Sequence, residues 1–328
     1  MNSNGGVLGN INKYFNAMIP YDTQKKLGDF SGFLSSNTMI ARGTFLLGVL
    51  IFFSILFYIG SKVIHYFLSP SETPYIISGM KDATEALTIV QNTGQKNSIP
   101  ILRSNNQYGG VEFTYSFWIY VNDINYNETI EFKHVFNKGS SPNSVRDSVN
   151  KGIFGPNNCP GVYLYNGKKN VNTNVNTNLL DNYPLLGMLV TLNVFHDNEG
   201  DNGRKPYYDD IYVDAIPIKK WVSVIIRVTS QNICDIYING NLAKRHKLSN
   251  IVKQNYDDLY VNYNGGFSGN LSDLKYYNYA VGTLEIDSLN TKGPNLQIKK
   301  NSNIEKSSKG QYLATQWYFN DTDVMTAT

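Results

Sequence analysis

Charge is scarce in this chain. Of 328 residues, 17% are Asp, Glu, Lys or Arg, against roughly 25% in ordinary soluble domains. The net charge of +3 is too small for bulk electrostatics to recruit nucleic acid, so no nucleic-acid partner is expected. Cysteine occurs twice and histidine four times. Two cysteines cannot form a disulfide scaffold. His65, His134, His196 and His246 are too widely scattered to show metal-ligand spacing. Proline and glycine follow no triplet period and the apolar residues follow no sustained heptad, which excludes a collagen and a coiled coil. There is no Gly-rich phosphate loop and no nucleophile elbow. What the chain has in quantity is aromatic side chains, 13% of residues with 24 tyrosines, and asparagine, at 42 positions. Asn, Tyr, Ile and Lys are read from A/T-rich codons, so this bias points to the genome rather than to a site.

One stretch concentrates the apolar residues. Gly43 to Ser61 runs 19 residues without a charge. As a helix it spans about 28 Å, close to the hydrocarbon thickness of a bilayer. Phe45, Leu46, Leu47, Leu50, Ile51, Phe52, Phe53, Ile55, Leu56 and Phe57 leave no polar stripe on any face, unlike a helix packed on a soluble core. Arg42 bounds one end, and Lys62, His65 and Tyr66 bound the other as snorkelling and interfacial residues do. The stretch starts too far into the chain, runs too long and lacks a small-residue cleavage site for a signal peptide. Residues 43–68 are therefore expected to be a transmembrane helix with its flank, making a single-pass protein in contact with a lipid bilayer. Lys13, Lys25, Lys26 and Arg42 on the N-terminal side outnumber Lys62 and Lys81 on the other. That asymmetry places the polar segment 1–42 in the cytosol and the bulk of the chain across the membrane. Three sequons, at Asn127, Asn270 and Asn320, would then be open to glycosylation.

Residues 69–83, with Ser69-Pro70-Ser71-Glu72-Thr73-Pro74, read as a linker. Beyond it the periodicity becomes two. In 113–121 the odd positions are Phe113, Tyr115, Phe117, Ile119 and Val121, the signature of a half-buried strand. Residues 186–194, 222–228 and 234–238 repeat it. Asn239-Gly240 then separates two such runs, and this dipeptide favours the positive-φ turn of a hairpin. Further strands are expected at 99–104, 131–137, 161–166, 208–216, 258–263 and 267–279. About a dozen short strands with little helical periodicity predict an all-β, two-sheet antiparallel sandwich over 84–290. Stretches 140–160 and 168–184 interrupt the rhythm and read as long loops, which often carry function. The tail, 291–328, is rich in Lys, Asn and Ser before a final aromatic group, Trp317-Tyr318-Phe319. Cys234 lies on the apolar side of its strand and Cys159 beside Pro160. A disulfide and a pair of buried free thiols both fit that placement.

Four motifs in order carry a resemblance. They are Phe113-Thr114-Tyr115-Ser116-Phe117-Trp118-Ile119, then Trp221-Val222-Ser223-Val224, then Ile236-Tyr237-Ile238-Asn239-Gly240, then Gly266 through Tyr277. Together they resemble the concanavalin A-like lectin/glucanase superfamily, including its laminin-G-like members. The resemblance implies a jelly-roll sandwich; with the apolar run before it, the expected architecture is one transmembrane helix followed by that sandwich. Ile99-Pro100-Ile101-Leu102-Arg103-Ser104-Asn105-Asn106, followed by Gly109 to Thr114, is similar to anchored proteins of nucleocytoplasmic large DNA viruses. That narrower likeness implies a minor capsid or virion membrane component whose partners are capsid or other membrane proteins. A protist or bacterial surface protein is the competing source.

The superfamily hosts lectins, hydrolases and adhesion modules, so fold alone does not give function. Its glucanases use a Glu-x-Asp-x-x-Glu strand, because retaining hydrolysis needs two carboxyls about 5–5.5 Å apart. Here the nearest match, Glu285-Ile286-Asp287-Ser288-Leu289-Asn290, ends in Asn and follows the closing strand, where a surface helix is expected. The reading is therefore non-enzymatic and without a resident cofactor, calcium excepted. Laminin-G-like modules often hold calcium at a rim, and Asp197, Glu199 and Asp201 offer hard oxygens at alternating positions, with Asp209 and Asp210 nearby. A lectin alternative would use aromatic rings beside planar amides, for which Tyr207, Tyr208, Asn262 and Asn264 are the candidates, with Tyr260 and Tyr263 near them.

Overall fold

The computed structural model describes residues 32, 39–95, 97–104, 111–146, 151–167, 186–195 and 207–298. The chain divides into two units, Met1–Ser69 and Pro70–Thr328. The first contains helix α1, Met39–Leu68. Within α1, Arg42–Tyr66 is long and apolar enough to cross a membrane, and none of it is buried in protein. Two of its hydroxyls turn back onto the helix: Thr44 and Ser54 donate to the carbonyls of Ile40 and Leu50 at 3.1 and 2.8 Å. This satisfies them within the helix, as a polar group in hydrocarbon requires.

The second unit is an antiparallel sandwich of two six-stranded sheets followed by a short helix. Its strands are β1 Met80–Asp82, β2 Leu87–Ile89, β3 Phe113–Asp123, β4 Lys133–Gly139, β5 Asn158–Asn166 and β6 Leu186–Val194. They continue with β7 Tyr207–Ile216, β8 Trp221–Thr229, β9 Ile233–Ile238, β10 Asn241–Lys247, β11 Leu259–Val261 and β12 Ser268–Tyr277, and then helix α2, Thr283–Lys292. One sheet has the order β1-β12-β3-β8-β9-β10 and the other β2-β11-β4-β5-β6-β7.

The core follows from the two-residue period. Phe113, Tyr115, Phe117, Ile119 and Val121 all point inward, as do Val222, Val224, Ile226 and Val228 on β8. They meet Phe136, Val162, Leu164, Met188 and Val190 of the opposite sheet. Tyr115 and Phe117 each pack against Phe136, with ring centroids 5.5 and 5.3 Å apart, joining the sheets through aromatic contacts. Asn239 and Gly240 have φ of 49° and 78°, so the Asn-Gly turn takes the positive-φ form its sequence favours.

Three expectations change. Residues 75–83 are not a linker: Ile76, Ile77 and Ala83 are buried in the core, and β1 pairs with β12. Residues 99–104 form no strand; Ile99 and Ile101 instead pack on the core from irregular backbone, as Pro100 removes a ladder donor. The stretch 140–160 is largely a cover rather than an open loop. Its Ile153 and Phe154 are buried against the outer face of β4–β6 with Phe132, Tyr163 and Leu189. That cover explains why β4, β5 and β6 are buried at almost every position instead of alternating. Of the two arrangements open to the cysteines, the structure has buried free thiols: Cys159 and Cys234 form no disulfide. The second loop, 168–184, lies outside the described residues.

Candidate functional site

The anchor residues expected from sequence, Phe45 to Phe57, all lie on α1 with more than half of each large apolar side chain exposed. Arg42 opens the apolar span and Tyr66 closes it. Lys62 stands over the Tyr58 ring at 5.7 Å, as a cation and an aromatic ring would at a membrane–water boundary.

The calcium candidates Asp197, Glu199 and Asp201 fall outside the described residues. Among the described residues no group of three His, Cys, Asp or Glu is placed to hold a metal. Asp209 and Asp210 are already engaged. Asp210 takes a bidentate pair from Arg146 at 2.9 and 2.8 Å, and Asp209 accepts from Ser249 N at 2.7 Å.

The proposed glycan set does not assemble. Tyr207 and Tyr208 are on edge strand β7, whereas Asn262 and Asn264 follow β11 on the other side of the same sheet. Three strands lie between, so the groups are separated by about 19 Å at ordinary strand spacing. Tyr208 donates to Pro156 O at 2.6 Å and has the Arg146 guanidinium 4.6 Å from its ring centre. Asn262 is fully buried and donates to Asp82 O at 3.3 Å. Only Tyr207 and Asn264 are exposed. The rim tyrosines Tyr260 and Tyr263 do touch, edge to face at 5.6 Å, but the Tyr263 hydroxyl is bound to Thr88 at 2.6 Å.

The carboxylates of the glucanase-like stretch lie in α2. Glu285 and Asp287 are two residues apart on a helix, a spacing that turns them to different faces, and Ile286 between them is buried. Glu285 accepts from the Tyr279 hydroxyl at 3.2 Å. These two groups do not form the facing pair that glycoside hydrolysis requires.

Sequence reasoning missed the outer face of the β3-containing sheet. Its register places Asn270, Tyr120 and Trp221 side by side across β12, β3 and β8. The next row on that face is Ser272, Trp118 and Ser223, with Asn239 beside Ser223. The rings of Tyr120 and Trp221 lie 5.6 Å apart at 54°. All three aromatics are partly exposed. Helix α2 covers the neighbouring part of the face, where Ile225, Tyr237 and Tyr277 pack under Ile286 and Leu289. Gly269 makes the close β12–β3 approach here: its φ is 148°, and a Cβ there would sit 1.8 Å from Tyr120 O. The signal was present in sequence as the even positions of 112–121, which are mixed where a covered face would be apolar and a bare one polar.

The buried titratable groups are structural. His134 is sealed between Phe154 and Tyr163, and burial lowers its pKa to about 3. Burial pushes the Cys159 thiol up to about 12 and raises Cys234 further still. Lys138, lowered by burial to about 8, donates to the Asn255 carbonyl at 3.1 Å and to Asp257 O, tying down the loop before β11.

No family model matches the chain, and no curated protein matches it. Among solved structures, the chain is similar to the binding domain of Paraclostridial Mosquitocidal Protein 1, at 16% identity and a TM-score of 0.37. That match covers 67% of this chain and 47% of the other. The botulinum neurotoxin serotype G binding domain is similar at 14% identity and a TM-score of 0.37, covering 65% and 46%. The binding domain of botulinum neurotoxin DC, solved with rat synaptotagmin II, gives 17%, 0.33, 59% and 37%. The chain therefore spans less than half the length of each.

Proposed function

We propose that this chain is a non-enzymatic, single-pass membrane protein whose sandwich serves attachment, with its N-terminus in the cytosol. The observation that carries the reading is α1, whose span Arg42–Tyr66 is apolar on all sides and unburied, joined to a sandwich with its own core. Leaving such a helix in water would expose far more apolar surface than a soluble monomer tolerates, and a bilayer removes that cost.

The strand order and the four motifs support the concanavalin A-like reading of the sandwich. Within it, the likeness of residues 99–114 to anchored proteins of large DNA viruses makes a virion the favoured setting. There the chain would link the internal membrane to capsid or to other membrane proteins. The test is proteomics of purified particles, with cross-linking through the sandwich. Recovery of the chain with the particle membrane and cross-links to capsid proteins supports the role. Absence from particles, with the chain instead on a cell surface, contradicts it.

A further inference from the structure

We propose that the C-terminal segment 311–320 folds back on its own sandwich and covers Trp118, Tyr120 and Trp221 on the outer face of the β3 sheet. Such a fold-back goes beyond the attachment reading and is independent of whether α1 spans a bilayer. The described chain ends beside this face. After α2 the backbone returns to the sheet: Asn295 O accepts from the Ser272 hydroxyl at 2.8 Å, and Asn295 N donates to it at 3.1 Å. Gln297 O then accepts from Met80 N at 2.8 Å, and Ile298 bridges Met80 in parallel. Met80 pairs with Ser272, Ser272 with Trp118, and Trp118 with Ser223. Ile298 therefore stands in the transverse row of Trp118. Three strand spacings, about 14 Å, separate them, and the strand of Trp221 is one spacing further, at about 19 Å.

Ser272 and Ser223 in that row are buried, so what the face offers is rings. Tyr and Trp are the residues that protein contacts enrich at their centres, where they act as anchors. Residues 299–328 lie outside the described residues, and their sequence divides in two. Residues 299–310 carry four lysines and one glutamate; residues 311–320 carry no charge and include Tyr312, Trp317, Tyr318 and Phe319. An uncharged aromatic run behind a polar stretch is surface that water disfavours and an aromatic protein face accommodates. As a random coil, the twelve residues 299–310 have an end-to-end distance of about 17–21 Å. That matches the distance from Ile298 to the rings, and at such a match a tethered segment has an effective concentration on the order of millimolar. A free partner has no such advantage, which is why the occupant is assigned to this chain. The three tryptophans of the chain, Trp118, Trp221 and Trp317, then all belong to one contact.

The test uses the purified full chain in detergent solution, with Tyr318→benzoylphenylalanine as a photo-crosslinker and isotopically light and heavy copies mixed. Irradiation is expected to join position 318 to peptides of β3 or β8 within one copy, light to light and heavy to heavy. Trp221→Ala should lose that product, with near-UV circular dichroism confirming that the variant is folded. Fluorescence reads the same contact without altering the sandwich. Trp317→Phe keeps a ring in the tail and leaves only Trp118 and Trp221 to emit. Adding Tyr318→Ser and Phe319→Ser should raise the acrylamide quenching of those two. Adding Asp321→Asn and Asp323→Asn instead, beyond the segment, should leave it unchanged.

No cross-link, or cross-links that reach only detergent or other parts of the chain, overturns the proposal. Light-to-heavy products place the segment on a second copy and also overturn it. Quenching that stays the same when Tyr318 and Phe319 are replaced does so as well. Membrane retention of the chain tests the attachment reading separately, so either can fail alone.

Discussion

His134 Nδ1 accepts the backbone N–H of Tyr263 at 3.0 Å, and this fixes the protonation state of the ring. Nε2 must then carry the proton, which it donates to Asn137 Oδ1 at 3.0 Å. Both nitrogens are committed to the neutral ring, inside an aromatic enclosure.

Acid should therefore destabilise the sandwich through this residue. Burial lowers the folded pKa from 6.5 to about 3, so the unfolded chain binds the extra proton first. The contribution is fully present above the unfolded pKa of 6.5 and is lost as pH falls from there towards 3, amounting to a few kcal/mol (about 1.4 per pKa unit). His134→Gln can keep one hydrogen bond and cannot titrate. Urea melts at pH 7 and pH 4.5 should show a smaller acid loss in the variant than in wild type. Equal losses would contradict the assignment.

Asp235 is held between two guanidiniums of unequal value. Its side chain is fully buried, paired with Arg227 at 2.7 Å and with Arg245 at 2.7 Å. Burial alone would raise the carboxyl pKa; the hydrogen bonds and charges of the two arginines bring it below the ordinary value. The Arg245 side chain is 56% exposed and that of Arg227 is 16% exposed. Asp235→Ala leaves the half-buried Arg227 without its carboxylate, with only the Val281 carbonyl to accept from it, and should cost about 3–5 kcal/mol. Arg245→Ala should cost far less, since water screens that charge. Chemical denaturation of the two variants measures the difference.

The thiols should be silent in the folded protein. Burial raises both Cys159 and Cys234, so neither offers thiolate at neutral pH. Maleimide or iodoacetamide should label neither in native buffer and both in denaturant. Labelling of Cys159 under native conditions would show that its end of the sandwich opens.

Gly269 should tolerate no side chain. The position combines a φ of 148° with a carbonyl 1.8 Å from where a Cβ would lie. Gly269→Ala must push β12 away from β3 and should cost more than about 2 kcal/mol. The same displacement would spread Asn270 from Tyr120. A stable variant with an unchanged melt would contradict the close approach.

Much of this fold was legible because its determinants are local. The odd positions of β3, the Asn-Gly turn after Ile238 and the uncharged run in α1 each declare themselves over a short window. What was not legible depended on covers placed from a distance. Residues 75–83 look like a linker, yet Ile76 and Ile77 are buried by β12, nearly two hundred residues later. Phe154 in a loop buries the outer face of β5, which no periodicity in β5 announces. The candidate sites fared likewise. Tyr208 and Asn262 look alike in sequence, as polar or aromatic residues near turns, and the sheet order separates them. Trp118, Tyr120 and Trp221 became a group only once the β3–β8 register put them on one face.

The claim on which the account depends is that α1 holds the chain in a bilayer. Alkaline carbonate extraction of membranes from cells expressing the full chain tests it most directly, beside a variant with Leu50→Arg and Phe53→Arg in the middle of the span. Two charges at the bilayer centre are costly by at least about 5 kcal/mol on insertion scales. Wild-type chain should stay in the carbonate-washed pellet and the double variant should be released. Wild-type chain recovered in the soluble fraction would contradict it.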